Sequence, residues 1–325
     1  MSFSSNVKKE LTCVPLGARH CLLAELAAML LMAGEISEEK GLYTIKFQTE
    51  NAAIARKYFT ILKKAFNINT EVMVKTNKKL HKKQTYILFI GDSEKAKKIL
   101  QATTILKRKE GVWLIRDYID LSTIQSICCK RAYLRGAFLG AGSVSDPEKG
   151  YHLEFVSPTM RHADFLRQVM LQLEMEPKIV PRQGNFVVYL KEGTQIVDLL
   201  NIIGAHVALM ELENVRIVKE VRNNVNRIVN CETANLKKTV SAAVRQMQDI
   251  EYIQDKVGIE YLPENLQEVA IYRLEYPSAT LKELGELLSP PVGKSGINHR
   301  LKKISEIADQ LRDTRGGVRN EKPNN

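Results

Sequence analysis

The stretch Leu-Ala-Ala-Met-Leu-Leu-Met-Ala-Gly at residues 26–34 recurs 108 positions later, at residues 134–142, as Leu-Arg-Gly-Ala-Phe-Leu-Gly-Ala-Gly. The correspondence continues beyond the two glycines, because the turn Glu-Lys-Gly at 39–41 recurs at 148–150. A repeat of this length is typical of a duplicated domain, since the units of solenoid proteins run to roughly 20 to 50 residues. We expect the two halves to pack about a pseudo-twofold axis, a symmetry that matches duplex DNA.

Both halves have the same order of predicted elements, which is helix, two strands, helix, two strands and helix. In the first repeat, residues 18–104, the predicted helices are 18–33, 52–66 and 93–101, with strands after Gly34 and at 42–48, 70–75 and 85–90. In the second repeat, residues 127–206, the predicted helices are 127–139, 159–174 and 194–203, with strands at 151–156, 178–182 and 186–190. This order predicts an α+β domain over residues 1–206, a pseudo-dimer of the two repeats.

One loop differs between the repeats. The hairpin between the last two strands is tight in the second repeat, at 182–185, and longer in the first repeat. The longer hairpin carries four lysines, and the second repeat has no counterpart of them, so they are not needed for folding. They are Lys78, Lys79, Lys82 and Lys83. They are interpreted as non-specific phosphate contacts, and a solvated loop is the equal alternative.

Composition favours a polyanionic partner. The 325 residues are 44% hydrophobic, which is enough for a large core in two or three domains, and 48 Lys and Arg against 37 Asp and Glu give a net charge of +11. A solvated basic surface is the ordinary alternative. The five cysteines form no Cys-x-x-Cys pair and are interpreted as reduced thiols. Without a signal peptide or a membrane-spanning apolar run, the sequence predicts a cytoplasmic protein with no membrane partner.

Residues 207–262 are predicted to form a helical connector. Apolar side chains recur at helical spacing over 207–229 and again over 233–257, which predicts two helices. The polar faces of these helices are basic. Four cations on them are additional candidate phosphate contacts: Arg222, Arg227, Lys237 and Lys238.

Residues 263–312 predict a helix-turn-helix domain, with helices at 264–275, 281–288 and 294–311, and residues 313–325 predict a disordered tail. Ser278 or Thr280 can cap the second helix, and Glu283 stands three residues after Thr280, as a capping box requires.

The last of these helices has a core face and a face suited to DNA. Ile297, Leu301 and Ile304 are predicted to point inward, and the sequence from Lys294 contains no acid until Glu306. The remaining positions offer the donors that phosphates and base edges require, so this helix is predicted to enter the major groove. A small helical bundle with a basic face is the alternative. The predicted DNA contacts are Thr280, Lys282, Lys294, Ser295, Asn298, His299, Arg300, Lys302 and Lys303.

Other kinds of site are not supported by the sequence. Residues 293–295 resemble the end of a phosphate loop, but the glycine required five positions earlier is Leu288, and a helix precedes it where a strand is needed. The histidines and cysteines lack metal-ligand spacing, and the adjacent Cys128 and Cys129 are interpreted as a packed pair. We therefore predict no metal site, no cofactor and no small-molecule substrate.

Taken together, these features resemble a known family. The helices that end at Gly34 and Gly142 resemble the LAGLIDADG motif of homing endonucleases. The whole of residues 1–312 resembles the WhiA family, through this duplicated domain, the segment Asn-Arg-Ile-Val-Asn-Cys-Glu-Thr-Ala-Asn-Leu-Lys-Lys at 226–238 and Gly-Lys-Ser-Gly-Ile-Asn-His-Arg-Leu at 293–301. The resemblance implies a nucleoid-associated, DNA-binding transcription regulator with roles in sporulation, cell division or chromosome segregation, and further partners among transcription or cell-division proteins.

The sequence departs from the nuclease pattern at the catalytic position. In homing endonucleases an acidic residue precedes the final glycine of each LAGLIDADG helix, and the two carboxylates hold divalent ions. Here these positions are Ala33 and Ala141. Glu35 lies beyond the first glycine, and its counterpart is Ser143, so no symmetric carboxylate pair is present. We predict a non-enzyme. The alternatives are a metal-dependent endonuclease with other carboxylates, or a protein-interaction scaffold whose DNA contacts are confined to the carboxy terminus.

Overall fold

The computed structural model describes residues 2–76 and 84–316, with side chains as far as residue 313. The chain divides between Glu220 and Val221 into two compact units, each with its own hydrophobic core.

The first repeat follows the predicted order after an amino-terminal helix, α1 (Phe3–Cys13), that was not predicted. Its antiparallel sheet has the strand order β1-β2-β4-β3. The elements are α2 (Arg19–Ala33), β1 (Gly34–Glu39), β2 (Leu42–Thr49), α3 (Ala52–Phe66), β3 (Glu71–Thr76), β4 (Gln84–Ile90) and α4 (Ser93–Ala102).

A short hairpin that was not predicted, β5 (Leu106–Lys109) and β6 (Val112–Ile115), leads to the second repeat. The second antiparallel sheet has the equivalent order, β7-β8-β10-β9, which confirms the duplicated α+β fold. The elements are α5 (Ile127–Ala141), β7 (Gly142–Val144), β8 (Leu153–Ser157), α6 (Met160–Leu171), β9 (Lys178–Arg182), β10 (Asn185–Leu190) and α7 (Gly193–Ile203).

The repeated helices α2 and α5 pack against each other in the core of this unit. A Cβ atom at Gly136 would overlap the backbone carbonyl oxygen of Glu25, so a glycine there allows the two backbones to approach closely. The consecutive residues from Leu26 to Leu30 of α2 are all apolar, so this part of the helix is apolar on every side, and all five are buried. A helix that is apolar all round belongs inside a protein.

A buried ionic network joins the two repeats beside this contact. The Glu25 carboxylate on α2 lies 3.3 Å from Lys57 Nζ on α3 and 3.0 Å from Arg135 Nη2 on α5. Lys57 also donates to the carbonyl oxygen of Leu11 at 2.9 Å. Burial lowers the pKa of Lys57, and the neighbouring Glu25 carboxylate opposes that shift. Removal of one member would leave uncompensated charge in the core.

One histidine is enclosed in the second repeat. His162 is buried, and its ring nitrogens lie 3.0 Å from Tyr133 Oη and 2.9 Å from Ser157 Oγ. Burial lowers the pKa of His162 to about 4, because a charged imidazolium there would lose its hydration.

The connector differs from the prediction of two helices. A single helix, α8 (His206–Val257), runs through residues 230–232, because Asn-Cys-Glu contains neither proline nor glycine to end it. Its apolar positions are also more exposed than the helical spacing suggests. Val221, Val225 and Leu236 are each more than half exposed, whereas Ile250 and Ile253 are buried in the carboxy-terminal core.

Three further helices complete the second unit: α9 (Glu264–Glu275), α10 (Leu281–Glu286) and α11 (Lys294–Gly316). The last helix therefore continues four residues beyond Arg312, where the disordered tail was predicted to begin. Residues 317–325 lie outside the described residues. In the part of the chain that the structure describes, no helix is both long enough and apolar enough to cross a bilayer.

Candidate nucleic-acid interface

A capping box begins helix α10. Thr280 Oγ1 accepts the backbone N–H of Glu283 at 3.3 Å, and Glu283 Oε2 accepts the backbone N–H of Thr280 at 2.7 Å. Hydrogen bonds from Thr280 lower the pKa of Glu283. Of the two candidate caps, Ser278 and Thr280, the structure therefore uses Thr280, as the spacing to Glu283 indicated.

The turn after α10 folds back onto that helix. The backbone N–H of Val292 donates to the carbonyl oxygen of Gly285 at 2.9 Å, and a Cβ atom at Gly285 would overlap the carbonyl oxygen of Val292. This close approach places Leu288 and Ile297 in the same core. A glycine at position 285 thus allows the turn before α11 to lie against α10.

A buried arginine holds the segment that leads into α10, and sequence reasoning missed it. Arg273 is 2% exposed, and its guanidinium donates to the carbonyl oxygens of Ala279 at 2.8 Å and Pro277 at 3.4 Å. Burial lowers the pKa of Arg273, although an arginine remains charged at physiological pH. The available signal was its position on the apolar face of α9, between Ala270 and the helix end.

Helix α11 has the two faces that the sequence predicts. Ile297, Leu301 and Ile304 are buried. At about 100° per residue, Ser295 and His299 lie nearly opposite this core face. Six of the seven predicted contacts on α11 are exposed, and Arg300 is half-buried on the flank. The exposed six are Lys294, Ser295, Asn298, His299, Lys302 and Lys303.

Two of the predicted lysines have acidic neighbours. Lys282 Nζ lies 3.8 Å from a carboxylate oxygen of Glu286, and Lys302 Nζ lies 3.9 Å from one of Glu306. Both pairs are mostly exposed, so they are weak and easily exchanged for a phosphate.

A groove brings together predicted contacts that are far apart in sequence. Lys238 of α8, Thr280 at the start of α10, and Lys294 and Asn298 of α11 line the same groove. Two cations, a hydroxyl and an amide therefore converge at the amino-terminal end of α11, the predicted recognition helix. Arg222, Arg227 and Lys237 are exposed on α8 as well. The four lysines of the long hairpin, Lys78, Lys79, Lys82 and Lys83, lie outside the described residues.

The nuclease position of the amino-terminal unit carries no carboxylate. Ala33 and Ala141 are the last residues of α2 and α5, and both are partly buried. In the first repeat the acid nearest to Ala33 in sequence is Glu35, and its Oε2 lies 2.7 Å from Lys46 Nζ.

In the second repeat the counterpart of Glu35 is Ser143, and the acid beside it is Glu154, its partner on the neighbouring strand. Arg182 donates to both of its carboxylate oxygens, at 3.0 and 2.9 Å, and His152 Nε2 lies 3.1 Å away. Burial alone would raise the pKa of Glu154, but the hydrogen bonds from Arg182 and His152 outweigh it and lower that pKa. Both carboxylates are thus engaged in ion pairs.

Comparison with known proteins gives the same order of domains. Three family models match: WhiA N-terminal LAGLIDADG-like domain over residues 19–106, WhiA LAGLIDADG-like domain over 130–222 and WhiA C-terminal HTH domain over 225–308. A protein of Alkaliphilus oremlandii named "Probable cell division protein WhiA" is 54% identical over 98% of this chain and 100% of its own length. A protein of the same name from a Thermoanaerobacter strain is 49% identical over 97% and 99%. The crystal structure of full-length DUF199/WhiA from Thermatoga maritima has 26% identity and a TM-score of 0.59, over 95% of this chain and 99% of that one.

Proposed function

Since this chain belongs to the WhiA family, we propose that it is a sequence-specific DNA-binding protein that regulates transcription in cell division, chromosome segregation or sporulation. The observation that carries the proposal is the groove where Lys238, Thr280, Lys294 and Asn298 meet, at the start of an acid-free exposed helix face. The partner is double-stranded DNA, the proposed location is the nucleoid, and other transcription or cell-division proteins are proposed as further partners.

The side chains of this region divide by chemistry into two roles. The cations Lys238, Lys294 and Lys303 suit phosphate oxygens, which position the protein without reading sequence. The amide of Asn298 and the hydroxyl of Ser295 can hydrogen-bond base edges, and an amide can make paired bonds to adenine in the major groove. Because residues near the start of a recognition helix contact bases in helix-turn-helix proteins, these two positions are the proposed source of specificity.

Arg300 receives a different role from its position. It is half-buried on the flank of α11, beside the core face, and not opposite that face. A long guanidinium side chain can extend from such a position to a phosphate at the edge of the groove. We therefore assign Arg300 to positioning on the phosphate backbone and not to base recognition.

The proposed function is not enzymatic. Hydrolysis of a phosphodiester needs a positioned metal ion or an equivalent clamp of charge. The two alanines at the helix ends cannot ligate an ion, and Glu35 and Glu154 are each held by cations. The purified protein should leave supercoiled DNA intact in the presence of magnesium or manganese. Cleavage that depends on Glu35 or Glu154 would establish the endonuclease alternative.

Sequence-specific binding is tested with the full-length protein. Selection from a pool of genomic fragments should enrich a limited set of sequences, and fluorescence anisotropy should show tighter binding to them than to a scrambled duplex. Asn298→Ala should reduce the preference and retain binding to scrambled DNA. Lys256→Ala, a change to an exposed lysine in the last turn of α8, serves as the control for loss of a cation. Equal affinity for enriched and scrambled duplexes would contradict sequence specificity.

A further inference from the structure

The first turns of the repeated helices carry matching pairs of metal-ligating residues. His20 and Cys21 are the second and third residues of α2, and Cys128 and Cys129 are the second and third residues of α5. The same 108-residue offset that relates the two helices relates His20 to Cys128 and Cys21 to Cys129. Packing of the two repeats therefore brings four potential ligands to one place, one pair from each repeat.

The distances within this cluster are short. His20 Nδ1 lies 3.0 Å from Cys129 Sγ and 3.4 Å from Cys21 Sγ. One ligand atom from each of His20, Cys21, Cys128 and Cys129 lies within 4.8 Å of the others. In residues 2–76 and 84–316, this is the one group of at least three histidine, cysteine or acidic side chains with that compactness. A tetrahedral ion with bonds of about 2.0 to 2.3 Å holds its ligand atoms roughly 3.4 to 3.8 Å apart, so small side-chain rotations suffice.

We propose that His20, Cys21, Cys128 and Cys129 form a four-ligand site for a single thiophilic divalent cation of the zinc type, which links the two repeats. Three cysteines and one histidine are a donor set of structural zinc sites. The compactness of the cluster favours one ion over an iron–sulfur cluster, whose several irons hold their cysteine ligands farther apart. Cys21 and Cys129 are buried at 8% and 3% exposure, whereas His20 and Cys128 are exposed and leave a path for an ion to enter.

The electrostatics of the two helix ends are suited to such a site. Three thiolates and a divalent cation together carry one net negative charge. Each helix amino terminus contributes roughly half a positive elementary charge, so the ends of α2 and α5 together balance that charge.

The prediction that no metal site exists followed from spacing along the chain. Each ligand pair is adjacent in sequence, and the two pairs are separated by more than a hundred residues, so no compact Cys-x-x-Cys signature appears. Gly17 adds a local feature, since a Cβ atom there would lie 3.3 Å from Cys21 Cβ. The glycine keeps the preceding loop close against the cluster.

Cobalt titration of the full-length, reduced protein tests the proposal. After treatment with a chelator, we expect one equivalent of Co²⁺ to produce the visible absorption of a tetrahedral thiolate complex, and Zn²⁺ to displace it. Cys21→Ser and Cys129→Ser should abolish this absorption. The matched controls are Cys13→Ser and Cys231→Ser, which alter exposed thiols outside the cluster and should leave it unchanged.

A second measurement covers variants that fail to fold. In the unmutated protein, removal of the ion by a chelator should lower the midpoint of thermal unfolding by several degrees, and one equivalent of Zn²⁺ should restore it. The proposal is overturned if the folded, reduced protein shows no thiolate–cobalt absorption. It is also overturned if the Cys21→Ser variant, shown by circular dichroism to be folded, retains that absorption. A cluster that forms a disulfide under oxidation but binds no Co²⁺ when reduced would overturn it as well.

Discussion

The dependence of DNA affinity on salt provides a quantitative test of the groove at the start of α11. Lys238 and Lys294 line this groove from two different helices, and no ion pair involving either lysine is found in the described part of the chain. Each phosphate that a lysine neutralises adds about 0.9 to the slope of log affinity against log salt concentration. Between about 50 and 200 mM salt, one such contact therefore costs about 3.5-fold in affinity.

If both lysines contact phosphates, the double variant Lys238→Gln with Lys294→Gln should reduce the magnitude of the slope by about 1.8. Over that salt range, the fold-decrease in the DNA affinity of the unmutated protein should be roughly 12 times the fold-decrease for the variant. The reduction should be the same for enriched and scrambled duplexes, because phosphate contacts carry no sequence information.

The assay is fluorescence anisotropy of a labelled duplex, titrated with full-length protein at four or more salt concentrations. Lys256→Gln, which removes an exposed lysine outside the groove, should leave the slope unchanged. The reasoning is refuted if the double variant keeps the slope of the unmutated protein, or if the control lowers the slope by the same amount.

Three further predictions concern stability, two of them in the amino-terminal unit and one in the carboxy-terminal unit. Glu25→Gln should lower the free energy of unfolding by on the order of 3 to 5 kcal/mol, because the buried cations Lys57 and Arg135 lose their partner. Glu35→Gln, which removes an exposed ion pair, should lower the free energy of unfolding by less than about 1 kcal/mol. Equal losses for the two variants in denaturant titration would contradict the buried network. His162 has a folded-state pKa of about 4, below its ordinary value of 6.5, so as pH falls from 6.5 the unfolded state takes up the proton first and about 3 kcal/mol of stability is lost by pH 4. His162→Gln should flatten this part of the stability profile, and an unchanged profile would exclude the histidine as its source. Gly285→Ala should destabilise the carboxy-terminal unit by about 1 to 3 kcal/mol and weaken DNA binding. Gly293→Ala should do neither, because an added Cβ there meets nothing within 4 Å. Equal midpoints of thermal unfolding for the two variants would argue against the close turn.

The sequence by itself determined the duplicated fold and most of its elements. The repeat around Gly34 and Gly142 predicted two copies of one helix-and-sheet order, and both copies are present with equivalent strand orders. Helix α3 begins and ends where predicted, since its amphipathic period and the capping side chain of Asn51 are local signals. The capping box at Thr280 and the inward face of α11 were predicted for the same reason.

Only the tertiary structure decided which distant residues meet and which apolar positions are buried. Helical spacing along α8 predicted a helix, but exposure at Val225 and Leu236 depends on whether another element covers them, which periodicity does not encode. Lys238 and Lys294 share a groove because α8 and α11 pack into one core, although 56 residues separate them along the chain. The cluster around Cys21 and Cys129 exists because two repeats pack about their equivalent helices. Contacts between residues far apart in sequence follow from packing, and spacing along the chain does not record them.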